Sequence, residues 1–267
     1  MKIKIFNPEG KETKTIELPK QFNEPFRPDL VKRAFLAYQS NNRQDYGTDV
    51  DAGMRYSAEV SRRREDYRGS YGQGISRSRR KVLTRRGRRF YWIGAFSPGT
   101  VGGRKAHPPK AAKNWKQDMN KKERRKAIRS ALAATLSKDL VSKRHKLPDI
   151  FPFALSNEYE SIKKTSDLWN SLLKLGLAEE LERCSKKKIR AGKGKNRNRP
   201  YKKKRGPLFV VSDKCDMVNA VKNIPGFDIA DVKHLNVALL APDGKGGRLV
   251  FFTEKALNTL KEENLFE

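Results

Sequence analysis

Two stretches of the sequence concentrate side chains that can bind nucleic acid. Residues 62–116 contain 17 Lys and Arg against two acids, and residues 186–205 contain 12 Lys and Arg and no acid. Such side chains bind phosphate groups, and each contact releases condensed counterions, so the affinity is high and falls steeply with salt. The two stretches carry +15 and +12 of the formal charge of +30, which leaves the other 192 residues close to neutral.

The composition of the first stretch indicates contact with bases as well as with phosphates. Arg outnumbers Lys by eleven to one over residues 62–89, and a planar guanidinium binds phosphate with two hydrogen bonds and stacks on bases. Aromatic rings between these arginines can stack on unpaired bases, which looped and single-stranded RNA present. They are Tyr67, Tyr71, Phe90, Tyr91, Trp92, Phe96 and Trp115. A solvated linker would explain the polarity of this stretch but neither its charge nor its rings.

These patterns predict one set of RNA-contacting residues. RNA is favoured over DNA because the sequence has no helix-turn-helix, zinc-finger or basic-heptad pattern. In the first stretch the set is Arg62, Arg63, Arg64, Arg68, Arg77, Arg79, Arg80, Lys81, Arg85, Arg86, Arg88, Arg89, Trp92, Arg104, Lys105, His107, Lys110, Lys113 and Trp115. In the second stretch it is Lys186, Lys187, Lys188, Arg190, Lys193, Lys195, Arg197, Arg199, Lys202, Lys203, Lys204 and Arg205.

Residues that could support catalysis do not form a recognisable constellation. None of His107, His145 and His234 stands at metal-ligand spacing from another His or Cys. The glycine motif "GSYGQG" at 69–74 follows no predicted strand, and "AGKGKNRNRP" at 191–200 has no Ser or Thr after Gly-Lys, so neither predicts a nucleotide site. We therefore expect no enzyme activity, no metal and no cofactor.

Other classes of protein fit the sequence poorly. No run of 18 apolar residues exists to span a membrane, and the N-terminal "MKIKIFNPEG" lacks the apolar core of a signal peptide. Cys184 and Cys215 are far apart in the sequence and are typical of a reducing compartment. We expect a cytoplasmic protein that contacts no membrane and forms no homo-oligomer.

The sequence outside the two stretches predicts the elements that position them. Strands are expected at 2–6 and 14–18 as an antiparallel edge hairpin, and later at "FPFAL", "PLFVV" and "RLVFF". Helices are expected from Pro28, from a capping box of Asn120 with Glu123, over "SDLWNSLLKLG" ending at Gly176, over "VNAVKNI", and after Thr253. Strands that alternate with helices predict an α/β fold with a mainly parallel central sheet flanked by helices.

Two further expectations concern the helix after Asn120 and the first basic stretch. The helix after Asn120 is expected to run without interruption through an apolar stripe and to stop before Pro148. That stripe comprises Ile128, Leu132, Leu136 and Leu140. Residues 62–116 hold few aliphatic side chains and eight glycines, so we expect that they make no core of their own and are disordered in isolation. The expected organisation is a globular domain of residues 1–44 and 117–267 with a long extended basic loop, 45–116, inserted.

Four segments resemble one known family. "GQGISRSRR", "GGRKAHPPK", "RAGKGKNRNRPYKKKRGPLFVV" and "LNVALLAPDGKGGRLVFFTEKAL" are similar to the universal large-subunit ribosomal protein four family, over nearly the whole chain. The "AHPP" motif and the length resemble archaeal members. The resemblance implies a structural constituent of the large ribosomal subunit, a primary rRNA binder whose globular domain lies on the subunit surface.

The resemblance also implies a role for the long loop. In the family the loop passes through rRNA and lines part of the nascent-polypeptide exit tunnel, beside the hairpin of the L-twenty-two family. The tip is then expected between Ile75 and Phe96, and its arginines are Arg77, Arg79, Arg80, Arg85, Arg86, Arg88 and Arg89. The alternatives are a free RNA chaperone, an RNA-processing accessory factor, and an RNA-processing enzyme with an unrecognised site.

Overall fold

The computed structural model describes residues 1–87 and 89–267. The chain forms two compact units, one from Met1–Asn42 and Lys116–Glu267 and the other from Arg43–Trp115. Arg88, one of the predicted contact residues, lies outside the described residues.

The first unit contains helices and strands in alternation, which confirms the α/β class. Its strands are β1 (Lys2–Phe6), β2 (Glu12–Glu17), β5 (Phe153–Leu155), β6 (Lys188–Ile189), β7 (Tyr201–Lys202), β8 (Leu208–Val211), β9 (Asp228–Asp231) and β10 (Val250–Phe252). Its α-helices are α1 (Pro28–Asn41), α2 (Lys121–Ala134), α3 (Lys138–Ser142), α4 (Thr165–Lys174), α5 (Ala178–Ser185), α6 (Met217–Lys222), α7 (Val237–Leu240) and α8 (Glu254–Glu262). The second unit contributes β3 (Arg80–Arg86) and β4 (Arg89–Gly94).

Two three-stranded sheets make the centre of the first unit. One has the order β2-β1-β5 and the other the order β10-β8-β9. The β1–β2 pair is antiparallel, as predicted for the edge hairpin, while β1–β5, β10–β8 and β8–β9 are parallel. A parallel bridge between Leu155 and Thr253 joins the end of β5 to the end of β10.

Alternate residues of the strands enter two separate hydrophobic clusters. Leu208 and Val210 of β8 belong to the cluster that includes residues of α1, α2 and α8, whereas Phe209 and Val211 belong to the cluster that includes residues of α4, α5 and α6. Successive side chains of a strand point to opposite faces of the sheet. The sheets are therefore covered by helices on both faces.

The predicted continuous helix after Asn120 is wrong, because α2 ends at Ala134 and α3 begins at Lys138. The Thr135 hydroxyl donates to the carbonyl of Leu132 at 2.6 Å, a local bond with which threonine competes against helix propagation. The capping box is also wrong. Asn120 stands at the N-cap without a side-chain bond to the helix, and Glu123 pairs with Arg33 at 2.8 Å.

Other helix ends follow the sequence signals. Gly176, after α4, has φ +77°, a conformation that glycine adopts without strain. The Thr253 hydroxyl accepts a hydrogen bond from the amide of Ala256 at the start of α8. Among the described residues, no helix combines the length and the apolar character that crossing a membrane requires.

The second unit contains regular structure that the composition of residues 62–116 did not indicate. Strands β3 and β4 form an antiparallel hairpin in which Arg80 pairs with Gly94 and Arg86 with Arg89. Rings rather than aliphatic side chains pack it: Phe90 stacks on Trp92 with centroids 5.3 Å apart, and Tyr67 meets Phe90 edge-on at 5.2 Å. A count of aliphatic residues underestimates the packing that such aromatic side chains supply.

Candidate nucleic-acid interface

Most of the predicted contact residues are exposed. In the second unit these are Arg62, Arg63, Arg64, Arg77, Arg79, Arg85, Arg86, Arg89, Lys105, His107, Lys110 and Lys113. In the first unit they are Lys186, Lys187, Lys188, Lys193, Lys195, Arg197, Arg199, Lys202, Lys203, Lys204 and Arg205. The half-buried ones are Arg68, Arg80, Lys81, Trp92, Arg104, Trp115 and Arg190.

Few of these cations are neutralised within the protein. Arg68 pairs with Glu59 at 2.9 Å, Lys186 with Glu182 at 2.5 Å, and Arg205 with Asp228 at 2.8 Å. The other described basic side chains of the set have no acidic group within ion-pair distance. A surface of unpaired cations of one sign attracts polyanions, so both stretches remain available for phosphate contacts.

Arginines and rings of the second unit contact one another across short distances. The Arg77 guanidinium lies 4.4 Å from the Tyr71 ring centroid, Arg79 lies 4.7 Å from that of Phe96, and Lys81 lies 3.8 Å from that of Tyr56. A cation above an aromatic face is held there without losing its charge. The rings therefore fix positions of cations whose remaining N–H groups are free to donate to phosphate.

The two faces of the β3–β4 hairpin differ in exposure. Phe90 and Trp92 lie on one face, where Tyr67 covers Phe90. Tyr91 and Ile93 alternate with them and lie on the other face, 52 % and 47 % exposed. Trp92, chosen from the sequence as a contact residue, is half-buried and stacks on Phe90, whereas Tyr91 presents its ring outward.

Trp115 belongs to an aromatic cluster of the second unit. Its ring stacks on Tyr46 with centroids 5.9 Å apart, and the Arg43 guanidinium and the Lys113 ammonium lie 3.9 Å and 4.2 Å from its ring centroid. Tyr46, Trp115 and His107 line a groove of about 660 Å³. The sequence proposed His107 and Trp115 separately, and the fold brings them together.

The second basic stretch forms a short ribbon in which β6 pairs antiparallel with β7. Arg190 braces this ribbon: its Nε donates to the Arg199 carbonyl at 3.1 Å and its Nη2 to the Tyr201 carbonyl at 3.3 Å. Its guanidinium is therefore committed to the ribbon backbone. The place of Arg190 in a basic run did not reveal these bonds to the backbone of the ribbon.

Sequence reasoning missed the buried charges that anchor the end of the second stretch. Arg248 is fully buried; its Nε donates to the carbonyl of Gly206 at 2.9 Å and its Nη2 donates to Asp228 at 2.5 Å. Arg183 donates from Nη2 to the carbonyl of Arg205 at 2.7 Å. Only tertiary structure identifies them, because Arg183 and Arg248 stand outside the basic runs.

Gly206 and Gly226 lie where the end of the second basic stretch packs closely against neighbouring backbone. The amide of Gly206 donates to the carbonyl of Gly226 at 2.8 Å, and a Cβ on Gly206 would meet the Cys184 sulfur at 2.8 Å. Gly226 adopts φ +82°, which favours glycine. The ribbon thus returns to β8 through a junction that excludes larger side chains.

A buried pair lies beside this junction. The Glu180 carboxylate accepts hydrogen bonds from His145 Nδ1 at 2.6 Å and from Arg183 Nε at 2.7 Å. Burial alone would raise the pKa of Glu180, but the bonds from Arg183 and His145 lower it to about 2. Burial lowers the pKa of His145, against the opposing effect of Glu180, so the ring is neutral at pH 7 and donates from Nδ1.

We expect the stability of the first unit to fall as the pH drops below about 6.5, the unperturbed pKa of histidine. The folded state then binds fewer protons than the unfolded state, because the pKa of His145 is lowered by folding. The slope is at most about 1.4 kcal/mol per pH unit. Urea denaturation from pH 7 to pH 5 measures it, and His145→Gln should flatten the slope. His107 and His234 remain in this variant. If its slope equalled that of the wild type, the pH dependence would not come from His145, and its assignment to that residue would be contradicted.

The chain is similar to proteins of one known family over nearly its whole length. The family model described as Ribosomal protein L4/L1 family matches residues 16–263. The large ribosomal subunit protein uL4 of Nanoarchaeum equitans is 50 % identical over 267 residues, with both chains covered completely. Those of Archaeoglobus fulgidus and Methanocaldococcus jannaschii are 43 % and 42 % identical, and each alignment covers 98 % of this chain and 99 % of the relative.

These matches agree with the resemblance seen in the sequence and with the archaeal character expected from it. They also exclude the enzyme alternative, because the matching family consists of ribosomal proteins. Among the described residues, no cluster of His, Cys, Asp and Glu is arranged to hold a metal ion. The family model and the relatives match the chain over almost its entire length, and the chain belongs to the Ribosomal protein L4/L1 family.

Proposed function

We propose that the chain is a structural constituent of the large ribosomal subunit and binds its rRNA through both basic stretches. The observation that carries this proposal is the partition of charge: +27 resides in two stretches, and of the predicted contact residues that the structure describes only Arg68, Lys186 and Arg205 pair with an acid. Relatives named as large ribosomal subunit proteins, similar over their whole length, support the same assignment.

The two stretches serve this function differently. Residues 186–205 form a ribbon of the α/β unit whose backbone is held by Arg190. Arg183 and Arg248 hold the end of this stretch, so its cations are suited to phosphate contacts at fixed positions. Residues 45–116 form the inserted loop, and the strands of its β3–β4 hairpin contain Arg80, Arg85, Arg86 and Arg89 of the expected tip. Outward Tyr91 and Ile93 on that hairpin suit contact with RNA bases or with a passing peptide.

We further propose that the β3–β4 hairpin lines part of the nascent-polypeptide exit tunnel, near the L-twenty-two family. Exposed Arg86 and Arg89 lie at the turn of the hairpin. Cations at that turn can bind the rRNA of a tunnel wall, while outward Tyr91 and Ile93 can contact the peptide. The globular domain of residues 1–44 and 117–267 is attached to rRNA in this proposal through its own basic ribbon within residues 186–205.

Photocrosslinking of a stalled nascent chain tests the tunnel proposal. A photoreactive residue is placed at successive positions behind the peptidyl-transfer site, and crosslinks are mapped on this protein by mass spectrometry. We expect crosslinks within residues 77–96 from a narrow window of nascent-chain positions. Crosslinks that fall only on the α/β unit, or on other subunit proteins alone, would contradict the tunnel placement while leaving rRNA binding intact.

A further inference from the structure

The β6–β7 ribbon has two chemically different faces. Lys188 pairs with Lys202 across the strands, and Ile189 pairs with Tyr201 at the next position. Successive residues of a strand point to opposite sides. The two lysines therefore share one face of the ribbon, and the isoleucine and the tyrosine share the other.

The lysine face is unfavourable unless an anion lies against it. Like charges directly opposite one another in an antiparallel pair destabilise it, and neither Lys188 nor Lys202 has an acidic group within ion-pair distance among the described residues. Both side chains are exposed. Two cations held side by side in this way match adjacent phosphate oxygens of a nucleic-acid backbone.

The opposite face exposes apolar surface in the middle of the most cationic segment of the chain. Ile189 is 73 % exposed and Tyr201 is 48 % exposed. The Lys187 ammonium lies over the Tyr201 ring, 4.6 Å from its centroid, so a cation lies against one face of the ring. A flat ring with an adjacent cation fits a nucleobase that is followed by its own phosphate.

The ribbon holds Tyr201 in place before any ligand arrives. Arg190 donates from its side chain to the carbonyls of Arg199 and Tyr201, and its amide donates to the Pro200 carbonyl at 2.7 Å. These bonds fix the β7 backbone on both sides of the ring. Preorganisation of this kind reduces the entropy that binding must offset.

We propose that Tyr201 stacks on an unpaired base of the RNA that the ribbon binds, while Lys188 and Lys202 contact phosphates from the other face. The proposal rests on the proposed rRNA-binding function and adds a base-contact residue inside the second basic stretch, where the sequence analysis had named only cations. RNA is favoured over a protein partner because the apolar face is bordered by cations on both strands and by no acid of its own.

Binding of in vitro transcribed large-subunit rRNA to the full-length chain tests the proposal. We compare the wild type with Tyr201→Ala, Tyr201→Phe and the double variant Lys188→Gln with Lys202→Gln over a range of salt concentrations. Tyr201→Ala should lower the affinity about 5- to 150-fold, the loss expected for one stacked base. Tyr201→Phe should stay within about twofold of the wild type, because the ring carries the stacking.

The salt dependence separates the two faces. Neither tyrosine variant should change the slope of log affinity against log salt, whereas the lysine double variant should lower its magnitude by about 1.5 units. Tyr38→Ala, which removes another exposed tyrosine from α1, should bind like the wild type. Circular dichroism and thermal midpoints confirm that the variants remain folded.

The outcomes separate a failure of the Tyr201 base contact from a failure of the proposed rRNA-binding function. A wild-type chain that binds rRNA with a steep salt slope, together with Tyr201→Ala of equal affinity, overturns the base contact alone. The same holds if Tyr201→Ala binds rRNA normally but fails to join assembled subunits, since that result assigns the face to a protein neighbour. A wild-type chain without salt-dependent rRNA binding removes the proposed function itself.

Discussion

Changing Lys193, Lys195, Lys203 and Lys204 together to Gln should weaken binding to large-subunit rRNA on the order of 10³-fold at 0.1 M salt. All four side chains are exposed in the second basic stretch and lack an acidic neighbour within ion-pair distance among the described residues. If each contacts one phosphate, the magnitude of the slope of log affinity against log salt should fall by about three units. Filter binding from 50 mM to 400 mM salt measures both quantities.

A matched control removes the same charge from elsewhere on the first unit. Changing Lys138, Lys164, Lys174 and Lys222 to Gln alters the net charge equally, and these residues are exposed outside both basic stretches. The control should lose far less affinity and keep its slope within about one unit. Equal losses in the two quadruple variants would show that net charge alone drives binding, and that the second stretch is no defined contact.

Arg248→Met should produce the largest loss of stability among single substitutions in the first unit, about 3 kcal/mol in the free energy of unfolding. Arg248 is fully buried, and its loss removes the side-chain donor to the carbonyls of Gly206 and Leu239 and one of the two donors to that of Pro207. Met has a similar volume, so the cost comes from the polar network rather than from a cavity. Urea denaturation of the full chain, followed by circular dichroism, measures it.

Arg205→Met is the control for this network. Arg205 pairs with the same Asp228 carboxylate, but its side chain is 66 % exposed, and exposed ion pairs contribute about 1 kcal/mol or less. The variant should therefore lose little stability. If both substitutions cost the same, burial of Arg248 does not determine its contribution, and the junction between the second stretch and β8 is held by other contacts.

The sequence predicted the parts of the fold that depend on local pattern. The β1–β2 hairpin, the ends of α4 and α8, and the apolar strands β8 and β10 follow from alternation, glycine and threonine signals that act over a few residues. The break between α2 and α3 could not be read in this way. It depends on the Thr135 hydroxyl bonding to Leu132, while the apolar stripe continues past it.

The candidate site was also predictable only where it depends on local sequence. Charge is a property of composition, so the two basic stretches were visible without a structure. The orientation of each side chain was not: Trp92 packs on Phe90, Arg190 braces backbone carbonyls, and Tyr201 projects from a ribbon that only strand pairing creates. Arg248 was missed because an isolated arginine in a loop carries no sign of burial.

Sedimentation of the native protein tests the central claim most directly. Cell extract is fractionated on a sucrose gradient, and the large-subunit fraction is then washed at about 0.5 M monovalent salt before the protein is detected. We expect the protein in the large-subunit peak, retained after the wash, since contacts along two basic segments resist salt together. Protein found mainly at the top of the gradient, free of rRNA, would contradict the account and favour a free RNA chaperone or accessory factor.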